Sequence, residues 1–136
     1  MPDTIRLVDY FYVMTADKPG EGARVLGQLK DAGVNLLAFH AFPSGRRAQL
    51  NLIPSDPAAL RAAARQAKWK LVGPKKAFLF SGDDRTGALV DHYTKLAGAK
   101  INVTATDAVS VSGYYGAVMW VDPRDVKKAA QILGAG

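Results

Sequence analysis

Residues 13–29 read VMTADKPGEGARVLGQL. An apolar stretch runs into Asp17-Lys18-Pro19-Gly20, and a helical pattern follows at once. Pro19 suits the first position of a helix, where its missing N–H is no loss. Asp17 stands where a carboxylate can cap the helix or complement its dipole. Val25, Leu26, Leu29 and Ala32 then make one apolar face, and Gly33 is a natural stop. A fainter copy, FSGDDRTGALVDHYTKL, occupies residues 80–96.

The copy is one part of a repeat that runs through the chain. A shift of 67 residues brings Phe11 onto Phe78, Asp17 onto Asp84, Lys18 onto Arg85, Gly20 onto Gly87, Leu29 onto Leu96 and Asn35 onto Asn102. After a one-residue deletion, Asp56-Pro57 falls on Asp122-Pro123. Identical punctuation at both turn signals is the mark of a duplicated unit.

The first copy predicts a strand over 5–15, a helix from Pro19, a strand over 34–43, a turn at Ser44-Gly45-Arg46 and a strand over 47–54. A helix capped by Asp56 follows, with Leu60, Ala63, Ala64 and Ala67 inward, and a short strand over 69–72 closes the unit. That order is the ferredoxin-like βαββαβ pattern. The second copy predicts strands over 76–81, 100–108 and 114–121 and helices over 85–98 and 123–133, and then stops without its last strand. The expected fold class is α+β, two ferredoxin-like units divided as 1–73 and 74–136. The linker, Gly73-Pro74-Lys75, is short enough to imply units side by side, with the four helices on one face of the sheet.

Composition narrows the function classes. The 136 residues are 49% apolar, ample for a core. No apolar run approaches the roughly 20 residues of a membrane span. The start, MPDTIRLVDYFYV, lacks the basic opening and cleavage site of a signal peptide, so a cytoplasmic protein is expected. There is no cysteine, hence no disulfide and no thiolate metal site. The net charge of +6 is spread over scattered Lys and Arg, as on a solvated surface.

Asp17-x-Pro19-Gly20 after a strand, then Gly33-Val34-Asn35 opening the next, resembles the ACT domain, a family of small regulatory modules. The resemblance covers nearly the whole chain as two copies. The second is degenerate: Thr86 stands for the proline and Lys100 for the glycine before Ile101-Asn102. The resemblance implies a ligand between two ACT units, held by the first strand–helix loop and the start of the second strand. Carried over, it points to Asp17, Pro19, Gly20 and Asn35, and in the second copy to Asp84, Gly87 and Asn102. A helix start offers N–H groups to a carboxylate, and Asp17 or Asn35 could hold an amine. An amino acid is the implied ligand. No cofactor and no catalytic residue is implied, and any regulated enzyme or transporter is a separate chain.

Chemistry is otherwise sparse. His40 and His92 lack metal-ligand spacing; His40 reads as a packed or interface residue and His92 as a helix-surface one. Asp83-Asp84 reads as a cap. Val109-Ser110-Val111-Ser112-Gly113 is a strand end, not a nucleophile elbow. Gly113-Tyr114-Tyr115-Gly116 is a loose echo of an RNA-recognition strand, without the preceding basic residue, and no nucleic-acid partner is expected. The alternatives to a ligand-binding regulator are a ligand-free interaction module and, behind it, a nucleic-acid binder. Leu36, Ala38 and Phe42 alternate with Leu37, Phe39 and Ala41, so both sheet faces are apolar there and a homodimer is expected.

Overall fold

The computed structural model describes residues 2–135. Its elements run β1 (Thr4–Ala16), α1 (Glu21–Asp31), β2 (Leu36–Ser44), β3 (Arg47–Pro54), α2 (Pro57–Ala67), β4 (Val72–Asp83), α3 (Val90–Gly98), β5 (Val103–Val111), β6 (Tyr114–Val121) and α4 (Val126–Leu133). A 3-10 turn, Pro123–Asp125, leads into α4. The fold is α+β, two ferredoxin-like units in succession.

Residues 9–75 make the first compact unit, and residues 2–8 with 76–135 make the second. The first has strand order β2-β3-β1-β4 and the second β1-β4-β6-β5. Of the strand expected over 69–72 only Val72 is strand; it opens β4, which runs on through Gly73-Pro74-Lys75 into the strand expected over 76–81. The chain ends after α4, and residues 4–8 of β1 stand beside β4 where the second unit's last strand would lie. Ile5 and Leu7 pack on that unit's core. β4 lies close against β1 at Gly73: a Cβ there would come within 2.9 Å of the Tyr10 carbonyl oxygen and of Phe11. Its φ of 129° also disfavours any side chain.

Each unit has its own core, built from the repeat's equivalent residues. Phe11, Leu29, Leu52 and Leu60 are buried in the first, and Phe78, Leu96 and Met119 in the second. Both hairpins turn in two residues: Ser44 pairs with Arg47, and Val111 with Tyr114. Asp56 caps α2, accepting from the Ala58 N–H at 3.0 Å, and Asp122 accepts from Arg124 N–H at the same distance. All four helices end on a left-handed residue: Gly33, Lys68, Lys100 and Gly134, with φ of 72°, 61°, 62° and 70°. Behind each, the next N–H reaches back at 2.9 Å to a carbonyl of the last turn, as Val34 does to Leu29 and Ile101 to Leu96.

Two helix starts differ from expectation. α1 begins at Glu21, not Pro19, and α3 at Val90, five residues later than the pattern suggests. In each loop a glycine with positive φ, Gly20 (92°) or Gly87 (70°), turns the chain before the helix begins. A positive φ is incompatible with a continuing right-handed helix.

Candidate functional site

The Asp17–Gly20 loop is a turn. The Glu21 N–H donates to the Lys18 carbonyl at 3.5 Å, with Pro19 and Gly20 between. Gly20 at φ 92°, ψ −17° occupies the position of a type II turn that calls for glycine, and Pro19 the position that favours proline. The first helical bond runs from the Arg24 N–H to the Gly20 carbonyl at 2.9 Å. No side chain caps α1. Asp17 is thus an exposed carboxylate beside an exposed turn, not a cap.

Asn35 is exposed as well, and its carbonyl accepts from the Ser55 N–H at 2.9 Å. The register puts it far from the turn. Ala16, at the end of β1, pairs with Arg47, whereas Leu36 pairs with Pro54. Seven residues of β3 separate those rungs, about 24 Å at the usual strand rise. One copy of the unit does not bring Asp17, Pro19 and Gly20 to the same small ligand as Asn35.

The second unit repeats the arrangement. The Asp84 N–H is tied to the Gly113 carbonyl at 3.0 Å, and no side chain caps α3, so Asp83-Asp84 does not form the expected cap. Asp84 and Gly87 edge a shallow apolar depression with Val109, Ser110 and Tyr115. Asn102 is exposed before Val103, which pairs with Val121, at the other end of the strands from Asp83 and Tyr114.

The most developed polar cluster was not legible from local sequence. Asp3 lies in the second unit with its carboxylate nearly buried, 5% exposed. Arg85 grips both oxygens, Nη1 to Oδ1 at 3.0 Å and Nη2 to Oδ2 at 3.1 Å. The Tyr115 hydroxyl donates to Oδ2 at 2.7 Å, and His92 Nε2 lies 2.7 Å from the same oxygen. Arg85 also donates to the Asp83 and Ala88 carbonyls. The Arg85 hydrogen bonds hold the Asp3 carboxyl well below the usual range, against burial and with help from His92 and Tyr115. Burial, and then the bond to Asp3, push the Tyr115 phenol up. Gly82 leaves room, since a Cβ there would collide with Asp3.

His92 is therefore a partly buried partner of Asp3, not the expected surface residue, and its ring meets Phe80 edge-on at 5.1 Å. Tyr115 is buried too, which removes one of the two tyrosines that a base-stacking surface would need. Both oxygens of Asp3 are engaged, while Nδ1 of His92 is buried without a hydrogen-bond partner. The cluster binds a carboxylate, and the carboxylate is the chain's own.

The same place in the first unit has different residues. By the 67-residue shift, Asp3 becomes Lys70, Gly82 becomes Thr15, Arg85 becomes Lys18, His92 becomes Val25 and Tyr115 becomes Ala48. The strand register agrees: Gly82 pairs with Tyr115 as Thr15 pairs with Ala48. Two ring side chains give way to small ones, and an open cleft of about 460 Å³ lies beside Thr15, Val25 and Lys70. Thr15, Arg24, Val25, Arg47, Trp69 and Lys70 are among its lining. Among the described residues, no group of three or more His, Asp or Glu could hold a metal ion, and no helix is long and apolar enough to cross a membrane.

No family profile matches the chain, and no curated protein sequence does. Solved structures do. Protein BT0572 from Bacteroides thetaiotaomicron superposes with a TM-score of 0.83 at 16% identity, covering 96% of this chain and 88% of that one. The ligand-free regulatory subunit of aspartate kinase from Thermus thermophilus gives a TM-score of 0.66 at 12% identity, over 98% and 96%. The aspartate kinase of Clostridium acetobutylicum, described as an allosteric enzyme, gives 0.53 at 18% identity, over 95% of this chain and 33% of that one. At these identities the likeness speaks for the fold. The chain has the two-unit ACT fold found in the regulatory subunits of aspartate kinase.

Proposed function

We propose that this chain is a non-enzymatic regulatory module that binds a small molecule, an amino acid or similar carboxylate, and acts through a separate enzyme or transporter chain in the cytoplasm. The supporting observation is the superposition on an aspartate kinase regulatory subunit over nearly the full length of both chains. Asp17, Pro19 and Gly20 of one copy form half of the proposed site, with Asn35 of a second copy as the other half. The distance between the two within a single unit favours that division. Asp84, Gly87 and Asn102 form the corresponding halves in the second repeat.

A homodimer follows from this reading. Apolar side chains exposed on the edge strands β2 and β5 support it: Leu37, Phe39, Val109 and Val111, with Tyr114 at the start of β6. Surfaces of that kind mark association sites.

The test is a thermal-shift panel of the twenty amino acids, run on the parent, Asp17→Ala and Asn35→Ala, with light scattering alongside. Ligand at about 100 times its Kd adds about 2.7 kcal/mol of stability. The expected result is one compound that raises the parent's melting point and loses its effect in both variants, on a dimer. A flat panel at millimolar concentration leaves the chain as an interaction module without a ligand, and a stable monomer at micromolar concentration removes the shared site.

A further inference from the structure

The cleft in the first unit and the Asp3 cluster in the second occupy one place in the repeat, in two states. In the second unit a carboxylate fills it, clasped by a guanidinium and a phenol, with an imidazole at 2.7 Å. In the first unit the residue equivalent to Asp3 is a cation, Lys70, and the two ring partners, His92 and Tyr115, are replaced by Val25 and Ala48. The cleft that Val25 and Lys70 line is open and of metabolite size.

The charge around that cleft is inverted as well. Arg24 lines it where the second repeat has Asp91, and Arg47 where it has Tyr114. Arg24 is paired with Glu21 at 2.9 Å. Arg47 reaches only a carbonyl, that of Met14 at 3.4 Å, and neither Arg47 nor Lys70 has an acidic partner among the described residues. Trp69, also in the lining, has a buried indole N–H without an acceptor. Arg, Lys and the indole are donors only. A group that satisfies them must accept hydrogen bonds, and with two unpaired cations it does so best as a dianion.

We infer that the cleft bounded by Arg24, Arg47, Trp69 and Lys70 is a binding site for a small dicarboxylate, taking from solution the kind of group that Asp3 supplies to the second unit. The site is separate from the proposed Asp17–Gly20 site, since no residue of that turn lines it. It needs one copy of the chain, whereas the other needs two. Dicarboxylate is preferred to phosphate because a carboxylate is what the equivalent place holds.

The experiment uses the protein's two tryptophans. In a Trp120→Phe background, Trp69 alone reports. Succinate, acetate and inorganic phosphate are titrated at constant ionic strength, with potassium chloride as the screening control. Succinate is expected to change Trp69 emission saturably, acetate at least tenfold more weakly. Arg47→Gln and Lys70→Gln should each weaken succinate at least tenfold, and Arg46→Gln, outside the cleft, should not. Calorimetry on the unaltered chain guards against a Trp120→Phe artefact. Phosphate binding more tightly than succinate would overturn the dicarboxylate assignment, and no saturable signal with any anion would overturn the site. Equal losses in Arg46→Gln would reduce it to general surface charge. The amino-acid panel on Asp17→Ala and Asn35→Ala is read independently, so one site can fail without the other.

Discussion

The second unit carries a carboxylate of its own where the first has an open basic cleft. Both descend from the same run of elements, with hairpins in the same register and helices that end in the same way. What changed is a handful of side chains: Lys70 for Asp3, Val25 for His92, Ala48 for Tyr115. A duplicated fold keeps its core and lets the polar residues at one end of the sheet drift. One copy can then close its site with an internal group while the other stays open. The lesson is that equivalence of backbone does not carry equivalence of site.

The core is where the two units should behave alike. Phe11 and Phe78 are repeat equivalents, and both are fully buried. Phe11→Ala and Phe78→Ala should each cost about 3–5 kcal/mol, from lost burial plus the cavity left behind. Denaturant melts of both variants check this. A cost below about 1 kcal/mol for either one would show that its unit is not packed as described.

Asp3 is where they should part. Asp3→Ala removes charge-assisted hydrogen bonds worth about 1.5–3 kcal/mol each in favourable cases, and Arg85 is half-exposed, so the net loss should be about 2–3 kcal/mol. Hydrogen exchange should quicken in β4, β6 and α3 and leave β2 and β3 as they were. The effect has a pH signature. The carboxyl titrates below its ordinary value of 3.8 in the folded protein, so the unfolded chain binds the proton first as pH falls. Asp3's contribution is complete above about pH 5 and shrinks as pH drops below about 4 toward the folded value. The stability gap between parent and Asp3→Ala should narrow as the pH falls below about 4. A gap that widens in acid would contradict the assigned contacts.

The smallest contrast lies at the helix ends. Lys100 holds a left-handed conformation that its equivalent, Gly33, holds without strain. Lys100→Gly should be neutral to stabilising by up to about 1 kcal/mol, and Gly33→Ala should destabilise by about 1 kcal/mol. Opposite signs at two equivalent positions would show that the two helix stops are one motif with different tenants.

Much of this architecture could be read from the chain. The punctuation at Asp56-Pro57, Gly33 and Ser112-Gly113 is local chemistry: a cap, a left-handed stop, a hairpin turn. Each acts within a few residues of itself, so the element order and the repeat followed. The start of α1 is ambiguous in the sequence because Pro19 suits both a first helical turn and a type II turn, and the positive φ of Gly20 decides between them. Asp17 reads in the sequence as a cap or a complement to the helix dipole, and the structure leaves α1 without a side-chain cap.

What the sequence by itself determined is a twofold repeat of ferredoxin-like units, their turns, and the residues that fill their cores. These follow from periodicity and backbone preference, which are properties of neighbouring residues. Only the tertiary structure decided that residues 4–8 complete the second unit and that one strand, β4, serves where two were expected. It also decided that Asp3 meets Arg85 and Tyr115 across 82 and 112 residues of chain. Contacts at such separations leave no local pattern, because strand pairing brings them together and any residue may stand at either end. The open cleft beside Lys70 belongs to the same class, being lined by residues as far apart in the chain as Thr15, Val25, Arg47 and Trp69.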